Sequence, residues 1–512
     1  MTRPLNRPMI TLSIMLATIM QTLDGTIANV ALPHMQGTLS ASQDQIAWVL
    51  TAYIVAAAIA TPLTGWFVDR FGQKNIFLAS IGGFTVASVL CGMSNSLAEI
   101  VAARLLQGVF GAALVPLSQV VLLDINPKEK QGSAMAIWGV GVMVGPILGP
   151  TLGGWLTDSY NWRWVFFINV PIGLMAAYGV WRYIRPVPGP KRLRFDMFGF
   201  ATLSLAIGAL QLLLDRGQQN DWFSSTETWI EAIALVVMST YFVAHTVMTP
   251  ADRSFVDFRL FKNQNFVTGV LFIFIVGLVL YATRALIPTM LETLMNYPVA
   301  TTGLVTAPSG AGTMITMLIV GRLIGKVDLR FMLFVGFTVT AVSLWQMGHY
   351  TIELSRSDII WPGVIQGIGM GLVFVPLSAA TFATLSPSMR AQGTALFSLV
   401  RNIGSSIGIS LVQTMLVRNT VIAHAALTER VTYANSAWHN PAIAGAYDLT
   451  TPGGAALLDS TITQQAAMIA YIDDFWLMLF LTLAVTPLLL LIRPPGRQKA
   501  SEAAADAQAV MD

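Results

Sequence analysis

Runs of about 20 mostly apolar residues, each long enough to cross a hydrocarbon layer roughly 30 Å thick, recur fourteen times along this 512-residue chain. Their approximate limits are 10–32, 46–68, 75–95, 98–122, 133–156, 164–181, 196–214, 228–248, 266–288, 300–321, 331–349, 359–383, 393–417 and 475–492. Only 11% of the residues are charged, against roughly a quarter in a soluble domain, so the solvent for most of this surface must be lipid. The pattern predicts an all-α polytopic membrane protein. The first run is too long for a cleavable leader, carries Asp24 and lacks a small-residue cleavage site, which predicts that it stays in the membrane.

Charge fixes an expected orientation. Five of the 29 Lys and Arg fall on alternate connections (Arg163, Arg216, Arg356, Arg418, Arg430) and three inside spans (Arg104, Arg284, Arg401), leaving 21 on the other side. Cytoplasmic loops carry such an excess, so both termini are expected in the cytoplasm. Five of the 21, Arg182, Arg185, Lys191, Arg192 and Arg194, share one loop. The net charge of +3 reflects this bias, with no basic aromatic-rich patch to suggest nucleic acid. The single Cys91 excludes a disulfide framework, and the five His are scattered without ligand spacing, so no metal or cofactor is expected.

A repeat at an offset near 260 residues divides the chain. Gln107-Gly108 followed by Val115-Pro116-Leu117-Ser118 recurs as Gln366-Gly367 followed by Val375-Pro376-Leu377-Ser378. Gly145 and Gly149 recur as Gly404 and Gly408, and Pro127 with Gln131-Gly132 as Pro387 with Gln392-Gly393. Duplicated six-span units of this kind build many secondary transporters. The expected organisation is a six-helix bundle over 1–190, an inserted two-helix hairpin over 191–255, and a second six-helix bundle over 256–495 with a long external loop at 418–474. The inserted pair reads as a linker at the lipid-facing edge or as part of the transport path. The long loop, which holds a stretch of amphipathic character around Ala455 to Phe475, reads as a docking element or as an unengaged connection. The polar, Ala-rich stretch 496–512 is expected to be a disordered cytoplasmic tail.

No Gly-rich phosphate loop is present: the one Gly-Lys pair, Gly325-Lys326, is followed by Val327. The driving force would then be an ion gradient or a partner. Asp24 is the leading candidate for a proton carrier, because a carboxyl deep in an apolar span is costly unless it faces a cavity, a partner or a proton path. The alternative is a structural carboxylate bonded to a neighbour such as Asn29. Arg104, a permanent positive charge in the fourth span, is expected to assist Asp24 or to serve as a hydrogen-bond hub. Asn29, Gln107, Arg284 and Arg401 are candidates for the substrate cavity or for coupling; Arg284 also reads as a side chain that snorkels outward.

Two glycine patterns stand out. Gly141, Gly145, Pro146, Gly149, Pro150, Gly153 and Gly154 place small residues every four positions of the fifth span, where they allow close backbone contact and the prolines bend the helix. Gly65, Asp69, Arg70, Gly72 and Lys74 form a charged turn between spans two and three, with Asp69 placed to act as a releasable latch or as an ordinary cap. Gly321-Arg-Leu-Ile-Gly325-Lys326 is its worn second-half copy.

Together these segments resemble the major facilitator superfamily, and within it the fourteen-span drug:proton antiporters of the EmrB/QacA type. Leu23-Asp24-Gly25-Thr26 through Asn29 and Pro33 is similar to that group's first-span motif, the segments from Gly65, Arg104 and Gly141 to its loop, fourth-span and antiporter motifs. Trp162-Arg163-Trp164 through Asn169, Pro171 and Gly173 extends the match, as do Leu214-Asp215-Arg216-Gly217 and Asp221-Trp222-Phe223. The resemblance implies a major facilitator fold of twelve helices plus two, and alternating access that exports hydrophobic toxic compounds in exchange for protons carried at Asp24. It further implies an inner-membrane location in a Gram-negative cell. The implied partners are a periplasmic membrane-fusion adaptor (EmrA-like) and an outer-membrane channel (TolC-like). Arg284 departs from the group, which has an apolar residue there. Two rival readings remain: a dedicated exporter of one metabolite, lipid or siderophore, and a membrane sensor or scaffold. No nucleophile, base and orienting group fall into an enzyme-like arrangement.

Overall fold

A computed structural model describes residues 6–127, 130–186, 195–250, 254–386, 389–431, 447 and 451–492. The expected tail 496–512 and the basic residues Lys191, Arg192 and Arg194 lie outside them. Among the described residues there is no sheet, only the isolated bridge Ile324–Val327 in a turn. Thirteen helical runs are long and apolar enough to cross a membrane, and one bent pair raises the number to fourteen. The chain is a multi-pass membrane protein.

In order the spans are α1 (Arg7–Thr38), α2 (Gln43–Ala60) with α3 (Leu63–Phe71), α4 (Gln73–Met93), α5 (Leu97–Gly111) with α6 (Leu114–Ile125), and α7 (Gln131–Ser159). There follow α8 (Trp164–Phe167) with α9 (Asn169–Tyr183), α10 (Met197–Arg216), α11 (Thr226–Met248), α12 (Gln264–Thr293) and α13 (Val299–Leu323). The last four are α14 (Leu329–Met347), α15 (Arg356–Ala383), α16 (Arg390–Thr428) and α17 (Pro452–Val485). The second span bends by 56° between α2 and α3, where Pro62 interrupts the helix.

The two halves pack alike. In the first, α1 lies along α7 and α9, while α2 and α4 lie along α5. In the second, α12 lies along α16 and α17, while α13 and α14 lie along α15. Local details repeat as well. The Ser118 hydroxyl donates to the Leu114 carbonyl (2.6 Å), and Ser378 does the same to Phe374 (2.9 Å). Gly72 and Gly325, in corresponding turns, both take the left-handed backbone that glycine adopts without strain, at φ +84° and +89°.

The halves meet mainly along α7 and α13, where Gly132, Gly139, Gly310 and Gly321 let the helices approach. At the end of the molecule carrying the Gly72 turn, α3 and α6 also pack on the start of α16. A Cβ at Gly65 would lie 3.2 Å from the Gln392 Cα. Of the inserted pair, α10 touches α2 of the first half and α16 of the second, whereas α11 leans on α10 and buries little of its surface.

One boundary expectation fails. The segment 418–474 is not a loop throughout: α16 continues to Thr428 and α17 begins at Pro452, with Thr451 capping it. The apolar runs stop short of these turns because the turns carry polar residues, with His424 on α16 meeting Asp459 on α17 at 3.0 Å. A 39-residue helix is about 58 Å long, so α16 outreaches a bilayer core by tens of ångströms. Most of 429–451 lies outside the described residues.

Candidate functional site

Asp24 sits just past the middle of α1 at 1% exposure, on the face turned toward α5 and α9. One carboxylate oxygen accepts from Arg104 Nη1 at 2.7 Å. The other accepts from Gln107 Nε2 and from Asn169 Nδ2, both at 2.8 Å. Arg104 and Gln107 fall three residues apart on α5 and so share a face; Arg104 Nη1 also donates to Gln107 Oε1 at 2.7 Å. Behind them Ser88 of α4 accepts from Gln107 (2.7 Å) and Asn169 (3.1 Å).

The guanidinium is held on three sides. Its Nε donates to the Val49 carbonyl at 2.9 Å, and its plane lies over the Tyr53 ring at 4.3 Å, both residues on α2. Arg104, Gln107, Ser88 and Asn169 all have 0% exposure. The cluster therefore ties helices α1, α2, α4, α5 and α9 of the first half through one buried ion pair. Two polar atoms stay unsatisfied there, Arg104 Nη2 and Asn169 Oδ1. Breaking one side of such a pair is costly, whereas protonating the carboxyl removes the charge and weakens the hold of all three donors together.

The other expected residues divide. Asn29 is exposed and is not the Asp24 partner. Five residues advance a helix by about 500°, which turns Asn29 some 140° away from the Asp24 face. Asn169 fills that role, and only the likeness of its flanking segment drew it into the sequence reading. Its direct signal was an amide between Phe166-Phe167-Ile168 and Val170-Pro171 in an otherwise apolar span. Ser88 and Tyr53 gave no comparable signal.

Gly145 meets α1 one turn from the acid: a Cβ there would overlap the Thr22 carbonyl, and one at Gly149 would overlap the Thr26 side chain. The Thr26 hydroxyl donates to the Gly145 carbonyl at 3.0 Å. Gly141 meets Met15, and Gly153 meets Ile27. Gly154 has nothing within 4 Å and belongs to no packed interface. The segment with Pro146 and Pro150 thus packs α7 against the Asp24 turn on one side and against α13 on the other.

Arg284 does not snorkel. It reaches from α12 across the seam, its Nη2 3.5 Å from Met143 Sδ on α7, and pairs with no carboxylate among the described residues. Arg401 is buried on α16 with Nη2 3.4 Å from Asn402 Oδ1, and joins neither Asp24 nor Arg284. Of the charged turn, Lys74 Nζ donates to the Trp181 carbonyl at 2.6 Å. Asp69 makes no hydrogen bond or ion pair to a described residue, and Arg70 is exposed. Among the described residues, the ion pair across the halves is instead Asp124 with Arg390, at 2.7 Å. Gln392 adds bonds to the Phe255 carbonyl (2.8 Å) and from the Asp257 amide (3.2 Å).

The repeat locates the counterpart of Asp24. Gly404 and Gly408 meet the Phe274 and Leu278 carbonyls as Gly145 and Gly149 meet Thr22 and Thr26, so position 24 corresponds to Val276. There the second half has a small apolar cavity bounded by Val276, Val279, Phe337, Met370 and Val373. The buried ion pair is a property of the first half. Among the described residues, no three His, Cys, Asp or Glu stand together as a metal site.

Residues 14–409 match the Major Facilitator Superfamily. The chain is 34% identical to the fatty acid resistance protein FarB of Neisseria gonorrhoeae, over 95% of this chain and 96% of that protein. It is 36% identical to the multidrug export protein EmrB of Escherichia coli (strain K12), over 95% of each. Among solved structures, the proton:xylose symporter XylE superposes with a TM-score of 0.62 at 11% identity, over 95% of both chains, a likeness of fold.

Proposed function

The chain belongs to the Major Facilitator Superfamily, and from that premise we propose that it is a multidrug efflux transporter that exchanges protons for hydrophobic compounds. The observation that carries the reading is the Asp24–Arg104 pair. It is the buried ion pair of the first half, its acid can be discharged by one proton, and its turn of helix is in backbone contact with α7, which lies along the other half. Charge bias supports placing the Gly72 end in the cytoplasm. That end is the one where α3, α6 and α16 close together and Asp124 meets Arg390, so the conformation is closed on the cytoplasmic side.

The cycle follows. With the cytoplasmic end closed, a proton from outside reaches Asp24 and releases Arg104, Gln107 and Asn169 from the carboxylate. The relaxed α1 turn shifts the Gly145 and Gly149 contacts, and α7 transmits the shift to α13. Asp124–Arg390 then opens, the proton leaves inward, and Arg104 recaptures the carboxylate as substrate enters the seam. The remaining parts of the proposal are an inner-membrane location and assembly with a membrane-fusion adaptor and an outer-membrane channel. The α16–α17 extension beyond the bilayer is the natural surface for the adaptor. Purified protein in proteoliposomes under an imposed pH gradient tests the core of this. Hydrophobic dye should move against its gradient only when the gradient is present, and gradient-independent movement would reject proton exchange.

A second reading, export of one amphipathic acid, draws on Arg284, which stands in the seam without a carboxylate partner, and on the likeness to FarB. Transport confined to long-chain acids, and lost in Arg284→Leu, would favour it over a broad range.

A further inference from the structure

A second buried acid lies in the other half and the cycle above does not use it. Asp474 on α17 has 0% exposure, and both of its carboxylate oxygens lack a hydrogen-bond partner. It stands toward the end of the molecule opposite the Gly72 turn, where α17 packs on α12, α14 and α16. It differs from Asp24 in every contact: no guanidinium, no amide and no hydroxyl meets it.

The groups around it are acidic or neutral. On its own helix these are Asp473, which accepts from Asn419 of α16 at 3.3 Å, and Tyr471. Beyond α14 come His349, its ring 5.8 Å from that of Trp476, and Tyr350, its ring 5.8 Å from that of Phe475 and its buried hydroxyl also unpartnered. The cations of the packed helices are engaged elsewhere or exposed. Arg284 of α12 reaches α7, Arg330 of α14 donates to the Ile492 carbonyl, Arg390 pairs with Asp124, Arg401 lies beside Asn402, and Arg418 is exposed. Glu292 of α12 is half-buried and adds only negative charge. An anion at Asp474 would have neither counter-ion nor donor, so the uncharged acid is the species this site accommodates.

We propose that Asp474 is a second proton-binding site, in the C-terminal half, loaded in this conformation and emptied in one that admits water between α14 and α17. Loading takes a proton from the external side, toward which Asp474 stands; release occurs in the conformation open to the cytoplasm, where the carboxylic O–H gives its proton to water continuous with that side and the resulting anion is hydrated. This rests on the proton-exchange reading and adds to it that each cycle moves one proton more than Asp24 alone would carry.

Reversal-potential measurements on proteoliposomes give the proton-to-substrate ratio directly. Asp474→Asn should lower that ratio by one while substrate transport continues, and Asp24→Asn should abolish gradient-driven transport. If Asp474→Asn keeps the wild-type ratio, Asp474 is a structural acid and the inference fails. If Asp24→Asn transports like wild type, the proton-exchange reading fails first, whatever Asp474 does. Should Asp474→Asn not fold, Asp474→Glu in the same assay should keep the ratio with a displaced pH profile. In that variant the protonated-carboxyl infrared band of the wild type should also move. An unchanged profile and band would overturn the proposal.

Discussion

At Asp24 three donors converge on one carboxylate, and the residue-level predictions follow from what each removal leaves behind. Asp24→Asn keeps the shape and loses the proton, so gradient-driven transport should be abolished, while the protein still folds but melts below the wild type because Arg104 keeps a buried charge without its counter-ion. Arg104→Ala strands a buried carboxylate and should destabilise the protein by about 3 kcal/mol, read as a lowered melting temperature in detergent. Adding Asp24→Asn to Arg104→Ala should recover part of that loss, because no charge remains to be stranded; a double variant less stable than Arg104→Ala would contradict the pairing. The sequence made Asp24 and Arg104 legible because charges in apolar runs are conspicuous. Asn169 and Ser88 were less so, since their importance lies in which helices the fold brings together, and Asp474 escaped because it stands one residue before the drawn edge of the last span.

Helix α7 lies between the acid and the seam, and its glycines divide by what surrounds them. Gly145→Ala puts a methyl group into the Thr22 backbone and should cost roughly 1–3 kcal/mol and impair transport. Gly154→Ala meets nothing and should leave transport unchanged and stability equal or slightly higher. Equal effects of the two substitutions, measured by melting and by dye efflux, would remove the glycine face from the mechanism. The four-residue spacing was visible in the sequence; the partner, α1 beside Asp24, was not. Element ends behaved similarly: every apolar core was found by hydropathy, but α16 and α17 run on past the lipid as helix with polar residues, which an apolar window cannot delimit.

Over the whole molecule, duplicated halves carry unequal chemistry. The repeat was readable from Gln107/Gln366 and Gly145/Gly404, yet only superposed packing shows that Val276 occupies the place of Asp24. The two ends also differ, with Asp124–Arg390 and Gly65 on Gln392 closing one of them. Arg390→Asp should repel Asp124 and favour opening at that end, detected as faster labelling of a cysteine placed at Gln392. The exchange Asp124→Arg with Arg390→Asp should restore slow labelling, and fast labelling in the exchanged protein would mean that the pair does not hold the closure. The account as a whole stands on Asp24 being where the proton enters the cycle, and comparing two modes of transport in one preparation isolates that step. Asp24→Asn in proteoliposomes should still exchange labelled for unlabelled substrate across the membrane, while failing to accumulate substrate under a pH gradient. Accumulation at the wild-type level by Asp24→Asn would contradict it.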